Sequence, residues 1–330
     1  MKVGKVPENV LKRSVFKQIH TMRPEVVLGA GVGEDCAAID FGEYECVMST
    51  DPITASVNDI GRLCIHISAN DIASNGIEPI GILLAVMLPE GTTEEDITHI
   101  MGQAAETAAE CNIEIIGGHT EITKAVNRPV IVSTAVGRGF KGQSASASEI
   151  KPGDAILMTK TAGIEGTGII ACDYEEELRE VLSGEELEHA KSLLSKVSVV
   201  KDGIIAGRIG THGMHDVTEG GILGAVWEMC SIAGTGARLD AEAIPADDVT
   251  RRICEHYDIN MLRLISSGSM LIMTEEDKKE EIIRELAAQG IPAAQIGKIV
   301  PKEEGLFICE GGKQTQIDPP GPDELYKIVK

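Results

Sequence analysis

No apolar run in the chain approaches the length that spans a bilayer, and the opening "MKVGKVPENVLKRSVF" lacks the apolar centre of a signal peptide. The eight cysteines (Cys36, Cys46, Cys64, Cys111, Cys172, Cys230, Cys254 and Cys309) include no C-x-x-C pair. That argues against structural zinc and for reduced thiols in a cytoplasm. Basic residues are scarce, 30 Lys and Arg against 52 Asp and Glu, and the net charge of −22 disfavours nucleic acid and anionic membrane as partners. The scarcity is uneven. Residues 1–23 hold six Lys/Arg against one Glu, leaving 24 basic and 51 acidic residues elsewhere. This segment reads either as a basic arm over an anionic ligand or as an amphipathic helix, since Val10, Leu11, Val15, Phe16 and Ile19 have helical spacing.

What is present is 330 residues, 43% hydrophobic, with 36 glycines: a globular chain with many tight turns, long enough for two domains. Strand-like runs ("CAAID", "CVMST", "IGILLAVML", "IEII", "PVIVSTAVG") alternate with helical patterns over about 59–75 and 93–112. A Ser/Gly/Pro/charge passage, "GQSASASEIKPGD", places a boundary near 148, giving domains 1–148 and 149–330. Beyond it, helical patterns cover about 185–209 and start near Gly221, Asp247 and Glu275; "ARLD", "SMLIM" and "QIGKIV" are strand candidates. Each half reads as α+β.

No G-x-x-x-x-G-K-[ST] phosphate loop occurs, and "GAGVG" leads into a strand-like segment instead of a helix, against a dinucleotide fold. The histidines of "HGMH", His212 and His215, read as ordinary loop residues. A set of acids remains. Asp35 follows the glycine loop, Asp51 ends a strand before Pro52, and Asp71 sits in the helical "CIHISANDIASNG", where an unpaired carboxylate is costly. Each is open to a structural reading as a turn former or local hydrogen bonder. Together they could hold Mg²⁺, which takes carboxylate oxygens and shares its shell with phosphates. "IIGGHTEIT" reads as a strand ending in a turn whose Gly117 and Gly118 let the backbone approach a ligand, followed by His119, Thr120 and Glu121. In "MHDVTEGGILGAVWEM", Thr218 is placed to cap a helix starting near Gly221, whose amides could meet an anion. Lys160, in "MTKTAGIEGTGIIA", stands at a Gly/Thr-rich loop that could also meet phosphate.

These segments in this order resemble the AIR synthase (PurM-like) superfamily, and within it the HypE-type branch: "GVGEDCAAID", "STDPIT", "ANDIASNGIEP", "GGHTEIT", "TKTAGIEGTGIIA", "HDVTEGGILGAVWEM" and "LISSGSMLI" fall at family spacing over nearly the whole chain. The resemblance implies a two-domain α+β protomer whose N-terminal domain pairs strands across a homodimer. It also implies an ATP- and Mg²⁺-dependent enzyme that phosphorylates a carbonyl or amide oxygen of a small-molecule or protein-bound substrate. Asp35, Asp51 and Asp71 would hold the metal; Asn70, Gly117, Gly118, Thr120 and Lys160 would contact nucleotide; Asp216, Thr218, His119 and Glu121 would serve catalysis. A maturation-protein partner is a further implication. The alternatives are a small-molecule kinase resembling thiamine-monophosphate kinase and a nucleotide-binding maturation factor without turnover.

The chain departs from the branch at three places. HypE ends in a cysteine that carries a carbamoyl group, whereas this chain ends "DELYKIVK" and its last cysteine is Cys309, so no terminal thiolate carrier is expected. The branch's Gly-Asp-Thr-Lys turn reads Gly118-His119-Thr120-Glu121. Its Asn-Glu-Gly turn reads Ser266-Ser267-Gly268, which removes a carboxylate.

Overall fold

The computed structural model describes residues 6, 8–31, 34–54, 59–144 and 146–328. It forms two compact units: residues 22–30 with 34–144, and the remainder, which includes helix α1 (Glu8–Ser14).

The smaller unit contains strands β1 (Val26–Leu28), β2 (Ala37–Asp40) and β3 (Tyr44–Ile53), helix α2 (Ile60–Ser74), β4 (Pro79–Leu88), helix α3 (Glu94–Glu110), β5 (Glu114–Ile122) and β6 (Val130–Phe140). Its sheet runs β1-β2-β3-β6-β4-β5, antiparallel except for the parallel β4–β5 pair. Burial alternates along β3 and β6, the pattern of a sheet covered on one face. The covering element is α2, buried along nearly its whole length. Ser68 anchors it, its hydroxyl 2.6 Å from that of Ser133 on β6. Helix α3 lies against α2 so closely at Gly61 that a Cβ there would come 2.1 Å from the Ile100 carbonyl oxygen. α3 begins with a capping box, Thr93 and Asp96 each bonding the other's amide. On the opposite face Met48, Val132, Thr134, Val136, Leu83, Ala85 and Met87 stay half-buried or exposed.

In the larger unit β7 (Ala155–Thr159) leads to α4 (Ile164–Asp173), α5 (Glu175–Leu178), α6 (Gly184–Ser192) and α7 (Val200–Ile209). β8 (Gly213–Asp216), α8 (Gly221–Ala233), β9 (Gly236–Asp240), α9 (Asp248–His256), β10 (Met270–Thr274), α10 (Lys279–Ala288), β11 (Ala293–Val300), β12 (Leu306–Glu310) and β13 (Lys313–Gln316) follow. The sheet order is β13-β12-β9-β11-β7-β10-β8, with β9–β12 its parallel pair. Here both faces are covered. Ile156, Met158, Leu271 and Met273 pack with α8, while Leu157, Met270 and Ile272 pack with residues of α7 and α10. Every residue of β7 and β10 is therefore buried.

Several expectations shift. The pattern over 185–209 is not one helix: α6 ends at Ser192, a 3₁₀ turn spans Leu193–Lys196, and α7 starts at Val200. His215 lies in a buried strand, not a loop, its Nε2 3.2 Å from Glu228. The β12–β13 hairpin went unread. The N-terminal helix stops at Ser14, short of Phe16 and Ile19, and Ile19 is exposed, so a continuous amphipathic helix does not form.

Candidate functional site

In the smaller unit α2 carries Asp71 one turn beyond Ser68, and this brings the carboxylate onto β3. The hydroxyl of Ser49 donates to Asp71 Oδ2 and lies 3.4 Å from Asp51 Oδ2. Asp51 does not end its strand; it pairs with Ser133 inside β3 and faces the same side as Ser49. Two carboxylates thus meet at one hydroxyl, and the Asp71 side chain is buried. Asp35 is exposed and precedes β2. Because Ala37 pairs antiparallel with Met48, the chain before Ala37 runs toward the Thr50–Asp51 end of β3. The structure thus joins Asp51 to Asp71 and puts Asp35 at the same end of the sheet. Hard oxygen donors converging at like charge fit a divalent cation. Asn70 is fully buried in α2.

The Gly117–Thr120 segment is not a turn. It is the middle of the edge strand β5, with Gly117 at φ +149° and Gly118 at φ +147°. A Cβ on Gly118 would come 1.9 Å from the Leu84 carbonyl oxygen, so the parallel pairing with β4 requires glycine there. Alternation then separates the residues. His119 and Glu121 pair with Ala85 and Met87 on the face that α2 leaves bare, opposite the Asp51–Asp71 side; Thr120 points the other way. His119 Nε2 lies 3.3 Å from Glu121 Oε2, both side chains well exposed.

In the larger unit Lys160 turns inward. Its ammonium donates to Asp202 Oδ1 at 2.7 Å and to the carbonyls of Ser198 and Gly268 at 3.0 and 2.8 Å. Three donors meet three acceptors, so in this arrangement the side chain ties β7's end to α7 and offers nothing to a phosphate. Burial pulls its pKa down and Asp202 pulls it back. Thr218 does not cap α8. The cap position is Gly220, in a left-handed conformation without a side-chain cap, and the Gly221 amide bonds the Thr218 carbonyl. The anion at this helix start is the chain's own Asp323, whose Oδ2 accepts from the Gly220 amide at 2.7 Å. A Cβ on Gly221 would come 2.7 Å from the Leu262 carbonyl oxygen, so the turn after β8 lies directly on the 262–264 segment. Asp216, at the end of β8, is buried and pairs with Met270.

Sequence reasoning passed over Glu165, Glu219 and Asp323. Glu165 and Glu219 each stand beside glycines in motifs already singled out, which was the available signal. Asp323 carried only the mark of a cap on the short turn after it, because the partners that tie it to the distant turns lie 58 and 103 residues away.

Profiles of the AIR synthase related protein N-terminal and C-terminal domains match residues 33–139 and 151–309. The chain belongs to the AIR synthase-related family. It is similar to the carbamoyl dehydratase HypE of Escherichia coli, 27% identical over 282 residues, covering 84% of this chain and 81% of that one. The fold matches that of HypE in a crystal structure of a HypE–HypF complex, with a TM-score of 0.74 at 24% identity over 88% of this chain and 94% of that one. It also matches a hydrogenase maturation protein HypE crystallised in complex with ATP, with a TM-score of 0.71 at 20% identity over 98% and 97% of the two chains. The two-domain α+β architecture with two mixed sheets is therefore the family's PurM-like fold. Among the described residues, no helix is long and apolar enough to cross a membrane.

Proposed function

We propose that this protein is an ATP- and Mg²⁺-dependent enzyme that phosphorylates a carbonyl or amide oxygen and so turns it into a leaving group. The observation that carries this reading is the meeting of Asp51 and Asp71 at the Ser49 hydroxyl. Asp51 and Asp71, with Asp35 from the neighbouring strand end, would hold Mg²⁺. When bound, the ion offsets the charge of ATP phosphates on a protein whose own net charge is −22. The glycine backbone of β5 would approach the ligand at Gly118 and Thr120, and Asp216 and Thr218 would serve substrate from the larger unit. His119 and Glu121, being on the other face, belong in this reading to a subunit contact. A homodimer formed through the bare face of the smaller sheet would bury Leu83, Val132 and Thr134 and place β5 at the interface. A maturation-protein partner like HypF is in keeping with the HypE relatives.

Product analysis tests the reading. ³¹P spectra of ATP, Mg²⁺ and a panel of primary carboxamides should show ADP and inorganic phosphate, with a nitrile or new C–N bond in the organic fraction. A phosphorylated compound that persists would favour a kinase instead. ATP that binds without being consumed would favour a maturation factor, the reading that the missing carboxylate at Ser266-Ser267-Gly268 favours.

A further inference from the structure

His119 and Glu121 stand two residues apart on β5, so both project from the face of the smaller sheet that lies away from Asp51 and Asp71. Their side chains are 69% and 47% exposed, and His119 Nε2 lies 3.3 Å from Glu121 Oε2. That is long for a hydrogen bond between nitrogen and oxygen, which closes to about 2.7–3.2 Å. It matches the edge of a zinc tetrahedron. Zn–N bonds of about 2.0–2.1 Å and Zn–O bonds of about 2.0–2.2 Å set neighbouring ligand atoms roughly 3.3–3.5 Å apart. An imidazole beside a carboxylate suits Zn²⁺, whereas Mg²⁺ prefers a shell of oxygens.

One copy supplies only half of a four-ligand shell. Among the described residues β5 is the edge of its sheet, and it is exposed from Ile116 through Ile122. Ile116 and Ile122 are 51% and 50% exposed, an apolar edge of the kind that a strand from another chain covers. Antiparallel pairing of this edge with that of a second copy, centred on Thr120, sets His119 of each copy opposite Glu121 of the other. Side chains opposed in this way have Cβ atoms about 4.5–5.5 Å apart, close enough for all four to reach one ion. Charge argues the same way. Two chains of net charge −22 repel, and a divalent cation between them offsets part of that repulsion.

We propose that His119 and Glu121 form half of a zinc site that two copies of this chain complete across paired β5 edges. The inference rests on the subunit contact proposed above and not on the reaction. Each copy gives one imidazole nitrogen and one carboxylate oxygen, so a single ion holds two chains.

The test is sedimentation velocity and equilibrium dialysis of the full chain, stripped with EDTA and then given Zn²⁺ or Mg²⁺ alone. Wild type, His119→Ala and Glu121→Gln are compared, with thermal melts to show that each is folded. Wild type should bind one Zn²⁺ per two chains at this site, and zinc but not magnesium should shift it to dimer. Either substitution should abolish that shift. It should also weaken zinc binding by more than the roughly 10–100-fold that a lost outer hydrogen-bond partner costs a metal site. Zinc bound equally by wild type and both variants would overturn the site. So would zinc binding that the substitutions remove without any change in mass, because the ion would then belong to one chain. A dimer equally strong with and without zinc would leave the subunit contact standing and refute its metal. A chain that stays monomeric under every condition would sink the subunit contact as well.

Discussion

The two sheets share a plan, antiparallel strands with one parallel pair near an edge, yet they treat their faces differently. The larger sheet is wrapped on both sides, and its central strands are buried end to end. The smaller one is covered by α2 on one side and leaves Leu83, Val132, Thr134 and Val136 on the other without a layer among the described residues. The acids follow the same division. In the smaller unit two carboxylates converge on a single hydroxyl, an arrangement that a cation would complete under the proposed function. In the larger unit Lys160 is matched inside the chain by Asp202 and two carbonyls, and Asp323 by three amides, whereas Glu165 Oε2 is buried without a hydrogen bond. A carboxylate buried in a helix therefore has two quite different explanations, and its neighbours decide between them.

The comparison breaks first at Lys160. Lys160→Met strands the buried Asp202 charge, so urea unfolding should show a loss of about 3–5 kcal/mol while the Kd for ATP stays put. The reverse result would return Lys160 to the nucleotide. Gly118→Ala comes next, because its Cβ has no room beside Leu84. It should lower stability by about 3 kcal/mol, whereas Gly102→Ala, in α3 with open space around its Cβ, should gain up to about 1 kcal/mol; equal effects would mean β5 is not paired as described.

The acids also separate by pH. The folded-state pKa of Glu165, about 7, lies above its ordinary 4.5, so within that window the folded chain holds a proton that the unfolded chain has released. That contribution to stability is present below about 4.5, is lost as pH rises to about 7, and stays lost above. Glu165→Gln should flatten this decline and be the more stable protein at alkaline pH by up to about 3 kcal/mol, as read from melts across pH. An unchanged slope would show that Glu165 is not buried as an acid. A smaller effect is expected at the bare face: Leu83→Asp should weaken a dimer by roughly 2 kcal/mol, about thirtyfold in Kd, in sedimentation equilibrium. Unaltered mass would mean that this face does not join subunits.

Much of this was legible in the sequence. Helices α2 and α3 fall within two residues of their periodic patterns, and β4, β7, β10 and β11 announce themselves as apolar runs. β5 was misread because Gly-Gly is a turn signal, whereas here two glycines with positive φ let a strand pass close to its neighbour. The hairpin around Gly311-Gly312 was missed although its glycines stood between two strand-like runs. At the site, Asp71 was found because a carboxylate in an apolar helix is anomalous. Its partner Ser49 was not, because a serine in a strand carries no such mark. Lys160 looked like a phosphate ligand because a lysine beside glycines is ambiguous until its acceptors are known.

The central claim is that Asp51 and Asp71 hold the metal on which nucleotide binding depends. Thermal unfolding with ATP, with and without Mg²⁺, on wild type and Asp71→Asn, tests it most directly. ATP at a hundred times its Kd adds about 2.7 kcal/mol to the folded state. The account predicts that this gain, a rise of several degrees in Tm, requires Mg²⁺ and disappears in Asp71→Asn. An equal rise in the variant, or none in the wild type, would contradict it.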